Sequence, residues 1–307
     1  MARERTFSSG ILGFPVTPFH ENSTIDEKAF AYNVEFLVKE GLSAMFVGCG
    51  SGEFQSLSVS EYQALLEAAV SVCAGKVPVY AGVGGNIKNA VELAEVAEKA
   101  GADGYLLLPP YLVDSEQAGL YEYVKTIVDS TDLNAVVYQR NNAIFTVDTV
   151  QRLAQLPKIV GFKDGYGNME LMVEITKTVG DRLEWCNGMP FAEVTMPAYY
   201  ALGFKSYSSA ISNYIPHISR LFFAAVRNGE TALVSDLYRE VILPINRIRK
   251  QRKGYAVSLI KAGMEIMGMP VGGAVRAPLM PVEKEHYQQL EAVLARALDR
   301  FPKPAQG

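Results

Sequence analysis

Cysteine and histidine are scarce in this sequence, with three of each in 307 residues. Cys49, Cys73 and Cys186 are odd in number and show no Cys-x-x-Cys spacing. That argues against a disulfide framework or a structural zinc site and fits a reducing, cytoplasmic compartment. His20, His217 and His286 have no cysteine or carboxylate partners at metal-ligand spacing, so no metal is expected. Strong charge of one sign is also missing. Lys and Arg number 29 against 33 Asp and Glu, a net charge of -4, too weak a field to gather nucleic acid or an anionic membrane. Nowhere do about 18 apolar residues run together as a membrane span requires, and the apolar stretch at 221–226 is closed by Arg220 and Arg227. The first ten residues carry charges of both signs and lead into Pro15 and Pro18, which leaves no room for a signal peptide's apolar core. Gly82-Val-Gly84-Gly85 lacks the third glycine of a dinucleotide fingerprint, so no nucleotide site is expected.

What the sequence does contain is a regular alternation. Hydrophobic residues make up 49% and charged residues 20%, the balance of a packed globular protein. Eight short apolar runs begin near residues 10, 44, 77, 104, 135, 159, 183 and 205, a spacing of consecutive strand–helix units. Between them the apolar period changes to that of a helix, as in Phe30, Val34, Leu37 and Val38 after Asp26, or Ala90, Leu93, Ala94 and Ala97 after Asn86. Ser58-Val-Ser-Glu61 reads as a capping box opening another helix. Lys39-Glu-Gly41, Lys99-Ala-Gly101 and Ala201-Leu-Gly203 each close a helix just before a strand. The fold class expected is α/β, a (β/α)8 TIM barrel over residues 1–212, although an open doubly wound sheet produces similar local patterns. Residues 213–307 show no further strand and read as helices punctuated by Pro244, Pro270 and Pro278. With no Ser/Gly-rich linker before it, this extension is expected to pack as one unit with the barrel.

Barrel active sites lie at the C-terminal strand ends. Lys163 ends the run Ile-Val-Gly-Phe-Lys, where alternation turns it inward with Gly161 and Ile159 and turns Val160 and Phe162 toward the helices. Burial disfavours the charged form of an amine, and a neutral amine attacks a carbonyl to form a Schiff base. The alternative is a lysine just past the strand, paired with Asp164 in solvent. Tyr138 ends the neighbouring run and is placed to shuttle protons, unless it is simply an aromatic core residue with its hydroxyl satisfied nearby. Gly48-Cys-Gly50-Ser51-Gly52-Glu53 is a turn whose backbone amides suit a carboxylate, or else a plain tight turn.

Taken together, Gly-Phe-Lys163-Asp-Gly, Val-Val-Tyr138, Gly50-Ser51-Gly52-Glu53 and Leu-Pro-Pro-Tyr111 resemble the dihydrodipicolinate synthase and N-acetylneuraminate lyase superfamily. The resemblance runs from Gly13-Phe-Pro-Val-Thr-Pro18-Phe to Gly272-Gly-Ala-Val-Arg276-Ala-Pro278-Leu. It implies that Lys163 forms the Schiff base, that Tyr138 moves protons and that the Gly50-Ser51 turn holds the substrate carboxylate. Two departures bear on substrate. Leu112 stands where the synthases carry a second tyrosine of the proton relay, and Gln139-Arg140-Asn141-Asn142-Ala143 replaces their Asn-Val-Pro-Ser-Arg, with its arginine for a second amino acid substrate.

The pattern is more similar to the branch of decarboxylating 5-dehydro-4-deoxyglucarate dehydratases. That implies a sugar diacid substrate, no cofactor, and loss of water and carbon dioxide through the lysine Schiff base. Arg140, Asn142, Ser208 and Ser209 are then candidates for the distal carboxylate and hydroxyls, or else ordinary polar loop residues. A retro-aldolase of the same superfamily that cleaves a 2-keto-3-deoxy sugar acid is the alternative reaction. A non-catalytic 2-oxo acid binding protein is the alternative outside enzymes. Family members are commonly homotetramers, which makes exposed apolar residues around Tyr111 or on the C-terminal helices candidate contacts.

Overall fold

The computed structural model describes residues 9–272 and 275–304. Residues 1–8, on which the reading of the N-terminus rests, lie outside the described residues, as do Gly273 and Ala274 of the C-terminal motif and residues 305–307.

The eight apolar runs pair in parallel and close on themselves. The strands are β1 (Gly10–Gly13), β2 (Ala44–Val47), β3 (Val79–Gly85), β4 (Gly104–Pro110), β5 (Asn134–Gln139), β6 (Ile159–Asp164), β7 (Glu184–Asn187) and β8 (Ser206–Ser208), in sequence order round the barrel. Eight helices follow them in turn, α1 (Glu27–Lys39), α2 (Val59–Cys73), α3 (Ile87–Lys99), α4 (Gln117–Asp129), α5 (Val147–Leu153), α6 (Met169–Val179), α7 (Met196–Ala201) and α8 (Pro216–Asn228). The fold is therefore the (β/α)8 barrel and not an open sheet. Local chemistry sets the helix starts. Asp26 accepts from the Ala29 N–H and Asn86 from that of Asn89, while Ser58 and Glu61 make both halves of the capping box, each cap contributing about 1 kcal/mol.

Beyond the barrel come α9 (Thr231–Leu237), a π-helical turn over Tyr238–Ile242, α10 (Leu243–Arg249), α11 (Tyr255–Ile266) and α12 (Lys284–Arg300). Pro270 and Pro278 fall between α11 and α12, but Pro244 does not break the helical path. It sits in the first turn of α10, where a missing N–H costs least, and the wider π turn precedes it. Among the described residues no helix is long and apolar enough to cross a membrane.

A buried ion pair ties α11 to the turn after β2. Glu53, fully buried, accepts from Lys261 Nζ at 2.7 Å and from the Arg276 backbone N–H at 2.9 Å. The Arg276 guanidinium lies 4.2 Å over the Phe19 ring and donates to the Ser56 carbonyl at 2.8 Å and to Glu61, whose carboxyl it holds at about 2. Removing one partner of such a buried pair strands the other charge at a cost of about 3–5 kcal/mol. The C-terminal end of β2 is thus anchored from outside the barrel.

Two apolar shells surround the strands. Outward residues such as Met45, Val47, Val137 and Phe162 pack against the helices, while Leu12, Phe14, Phe46, Tyr80, Leu106 and Val136 fill the interior. Phe14, Phe46 and Tyr80 stack there with centroids 4.8 and 5.0 Å apart. On β6 strict alternation fails. Val160 joins the interior cluster and Ile159 the outer one, the reverse of what the sequence pattern predicts. The cause is a register shift against β5, where Ala135 pairs with Ile159 but Val136 pairs with Gly161. That one-residue bulge resets the pleat, so that Lys163 still faces inward.

Candidate active site

Lys163 lies at the C-terminal end of β6, opposite Tyr138 on β5 and Cys186 on β7. It is 5% exposed, with Nζ 4.2 Å from the Phe14 ring centroid and 4.3 Å from that of Tyr138. Asp164 is not its partner in solvent. That carboxylate is fully buried and accepts from Gln139 Nε2, the Tyr199 hydroxyl and the backbone N–H groups of Tyr166 and Gly167. Cys49 and Cys186 flank the lysine as buried thiols, pushed up by burial to about 12 and about 11. They are neutral sulfhydryls, so the lysine's immediate walls are aromatic rings and thiols without negative charge.

Tyr138 donates its hydroxyl proton to the Gly188 carbonyl at 2.9 Å and accepts from Arg140 Nη1 at 2.9 Å. The phenol is thus held between a fixed acceptor and a cation. Local sequence explains how Arg140 reaches it. Arg140 and Ala143 exchange backbone hydrogen bonds across a turn whose Asn141 takes a φ of 52°, a left-handed conformation that asparagine tolerates well. Gln139 locks that turn, accepting from the Phe145 N–H at 2.9 Å while donating to Asp164 at 3.0 Å. The turn folds Arg140 back over the end of its own strand.

Gly188 shapes the site by what it lacks. A Cβ there would stand 2.5 Å from Lys163 Cγ and 2.6 Å from its Cε, closer than any van der Waals contact allows. Its carbonyl also receives the Tyr138 proton, so one residue sets both groups. Gly188→Ala is expected to push the lysine stem aside and lower kcat about 100-fold, the usual cost of roughly 1 Å of misplacement. Steady-state kinetics alongside a thermal midpoint checks this, because a loss caused by unfolding would move both together.

These groups line a cavity of about 350 Å³ at the barrel mouth, together with Gly50, Ser51, Ser208, the Ser209 segment, and Ile245 and Arg249 from α10. Among the described residues that line it there is no Asp or Glu, whereas Arg140 and Arg249 bring two guanidinium groups beside the Lys163 amine. The cavity is therefore built for an anion. Of the other sequence candidates, Ser208 Oγ donates weakly to the Asn187 carbonyl at 3.4 Å. Ser209 has its hydroxyl directed to the wall, donating to Glu193 at 2.7 Å. Asn142 stands apart from the cavity; its amide donates to the carbonyls of Pro110 and Val113 at 3.0 and 2.6 Å and so holds the loop after β4.

Two residues of the site escape the sequence reading. Gly188 ends no motif, and its role is an absent side chain. Arg249 lies on α10, a helix that the alternation places outside the barrel; its one trace in the sequence is that it falls one turn after Ile245, on the same helix face. Among the described residues no group of three or more His, Cys, Asp and Glu side chains is placed to hold a metal ion.

Comparison with known proteins fits this geometry. The model of the dihydrodipicolinate synthetase family matches residues 7–297. The chain is 63% identical over 305 residues to a probable 5-dehydro-4-deoxyglucarate dehydratase of Bacillus subtilis (strain 168), covering 99% of each chain. It is 59% identical over 303 residues to the protein of the same description from Bacillus licheniformis, covering 99% of this chain and 98% of that one. Among solved structures it is similar to dihydrodipicolinate synthase from Oceanobacillus iheyensis, with a TM-score of 0.87 and 27% identity over 94% of this chain and 96% of that one.

Proposed function

The chain belongs to the dihydrodipicolinate synthetase family, and from that premise we propose that it is a 5-dehydro-4-deoxyglucarate dehydratase that releases 2,5-dioxopentanoate, carbon dioxide and water. It is a lyase, and its reaction runs through a Schiff base on Lys163. The observation that carries this reading is the buried Lys163 beside Tyr138 in a cavity whose described lining residues include two arginines and no carboxylate. A substrate with two carboxylates matches that charge balance, and relatives at 63% and 59% identity carry the same description.

Lys163 Nζ attacks the C5 ketone, and the adduct loses water to give an iminium. The positive nitrogen acidifies C4, whose proton departs to leave an enamine. The enamine expels the C3 hydroxyl as water, which gives an iminium conjugated through C4 and C3. Electrons of the C1–C2 bond then flow into that sink, and C1 leaves as carbon dioxide. Reprotonation and hydrolysis free the lysine and release the product. Tyr138 carries protons between these steps, with Arg140 stabilising the charge that develops on its oxygen. The Gly50-Ser51 turn holds the carboxylate next to the ketone, Ser208 the hydroxyls, and Arg140 faces the distal half of the substrate. Asn142 and Ser209 act through the loops they fix.

The reading places the protein in the cytoplasm, in D-glucarate breakdown, as a homotetramer. Tyr111, Leu112 and Val113, which are 69%, 82% and 59% exposed, supply an apolar surface for contact between copies. Incubation with 5-dehydro-4-deoxyglucarate tests the reaction: carbon dioxide and 2,5-dioxopentanoate in equal amounts are expected, whereas pyruvate would make the enzyme an aldolase.

A further inference from the structure

Arg249 lines the cavity, yet among the described residues its guanidinium takes part in no ion pair and donates no hydrogen bond. Half-buried arginines ordinarily have such partners, because a guanidinium removed from water must replace five donated hydrogen bonds. Its surroundings make the isolation sharper. Burial, with Arg140 near enough to repel it, holds the Arg249 pKa below the usual arginine range. The acid whose charge Arg249 feels is Glu193, which is fully buried, pushed up by burial, and accepts on Oε1 from Ser209 and the Ile211 N–H. No protein carboxylate forms an ion pair with Arg249 among the described residues.

The fold nonetheless fixes this side chain with care. Ile245 and Arg249 lie one turn apart on α10, and both line the cavity. The π-helical turn that sets the rotation of α10 is pinned where Tyr238 donates to the carbonyls of Glu193 and Val194 at 3.3 and 3.0 Å. Arg140 arrives separately, from the end of β5, three strands round the barrel from the β2 turn that bears Gly50 and Ser51. Two guanidiniums delivered by different elements thus reach the same cavity and feel each other's charge.

We propose that Arg249 is the specificity-determining residue for the second carboxylate of the substrate, forming with Arg140 a clamp that admits dicarboxylic 2-oxo acids in preference to monocarboxylic ones. This rests on the function proposed above for the same cavity and assigns the diacid selectivity to a residue outside the barrel. Arg140 is committed on one nitrogen to Tyr138, so it links the bound carboxylate to the proton carrier. Arg249 has no such duty, and its loss therefore weakens recognition of the diacid and leaves the covalent step in place.

The test uses two six-carbon probes that form Schiff bases but have no hydroxyl to eliminate: 2-oxoadipate, with a distal carboxylate, and 2-oxohexanoate, without one. Borohydride trapping on Lys163, read by intact mass against probe concentration, gives a half-saturation for each. In the wild-type protein 2-oxoadipate is expected to saturate at lower concentration. In Arg249→Gln its half-saturation is expected to rise about 10- to 100-fold, the usual loss for a charge-assisted hydrogen bond, while that for 2-oxohexanoate moves less than about twofold. Arg249→Lys should recover part of the loss. Equal weakening of both probes would mean a structural role, and no change in either would mean that the clamp lies elsewhere; each result overturns the proposal. Turnover of 5-dehydro-4-deoxyglucarate by the wild-type protein is scored separately. A protein that discriminates the probes through Arg249 but yields no 2,5-dioxopentanoate keeps the clamp and loses the proposed reaction.

Discussion

Replacing Lys163 with alanine is expected to abolish turnover, by at least about 10⁴-fold, as deletion of a covalent nucleophile typically does, in a protein that keeps its barrel. The second half of that expectation follows from what surrounds the side chain. Lys163 stands between the Phe14 and Tyr138 rings, and Asp164 next to it is satisfied by Gln139, Tyr199 and two backbone N–H groups. Deleting the amine therefore strands no acidic partner among the described residues. The contrast is Lys261, equally buried but paired with Glu53 at 2.7 Å, where the same substitution leaves a charge alone in the core. Turnover of 5-dehydro-4-deoxyglucarate measured beside thermal unfolding checks both halves. Near-normal activity in Lys163→Ala would end the Schiff-base mechanism.

Tyr138→Phe is expected to lower kcat by about 10²- to 10⁴-fold, the contribution of a positioned proton carrier, with KM changed far less. The ring stays, so the aromatic wall over Lys163 survives. What disappears is the hydroxyl that donates to the Gly188 carbonyl and accepts from Arg140 at 2.9 Å each. Proton movement at the reacting carbons then relies on water, while the iminium can still form slowly. A variant in which KM alone rises would make Tyr138 a residue that positions substrate, because uniform binding and not transition-state stabilisation would have been lost.

The barrel is legible in the sequence because each strand is a short apolar run and the first three helices announce their starts, with Asp26, Ser58 and Asn86 at caps that the structure contains. The inward face of Lys163 is legible only in outcome. Alternation counted back from it assigns Ile159 and Val160 to the wrong sides, since the bulge beside Gly161 depends on how β6 meets β5 and not on β6 itself. Polar residue type at a strand end likewise does not say whether a group's hydrogen bonds are already occupied. Ser209 and Asn142 resemble substrate ligands by position, yet Glu193 and the Pro110 and Val113 carbonyls engage them.

Arg249 illustrates the opposite case. A helix that follows the barrel carries no local mark of which face turns toward the mouth, because its rotation is set by the π turn and by Tyr238 reaching the loop after β7. Gly188 is hidden for a different reason: the space it leaves matters only once the Lys163 stem occupies it. Sequence pattern reports what an element must bury, and the site depends in addition on how separate elements meet.

Borohydride added during turnover of 5-dehydro-4-deoxyglucarate, followed by peptide mass mapping, tests the central claim most directly. The expected result is a single reduced adduct on the peptide that contains Lys163, formed only with substrate present and accompanied by loss of activity. Full turnover with no adduct, or an adduct on another lysine, would contradict the Schiff base assigned to Lys163.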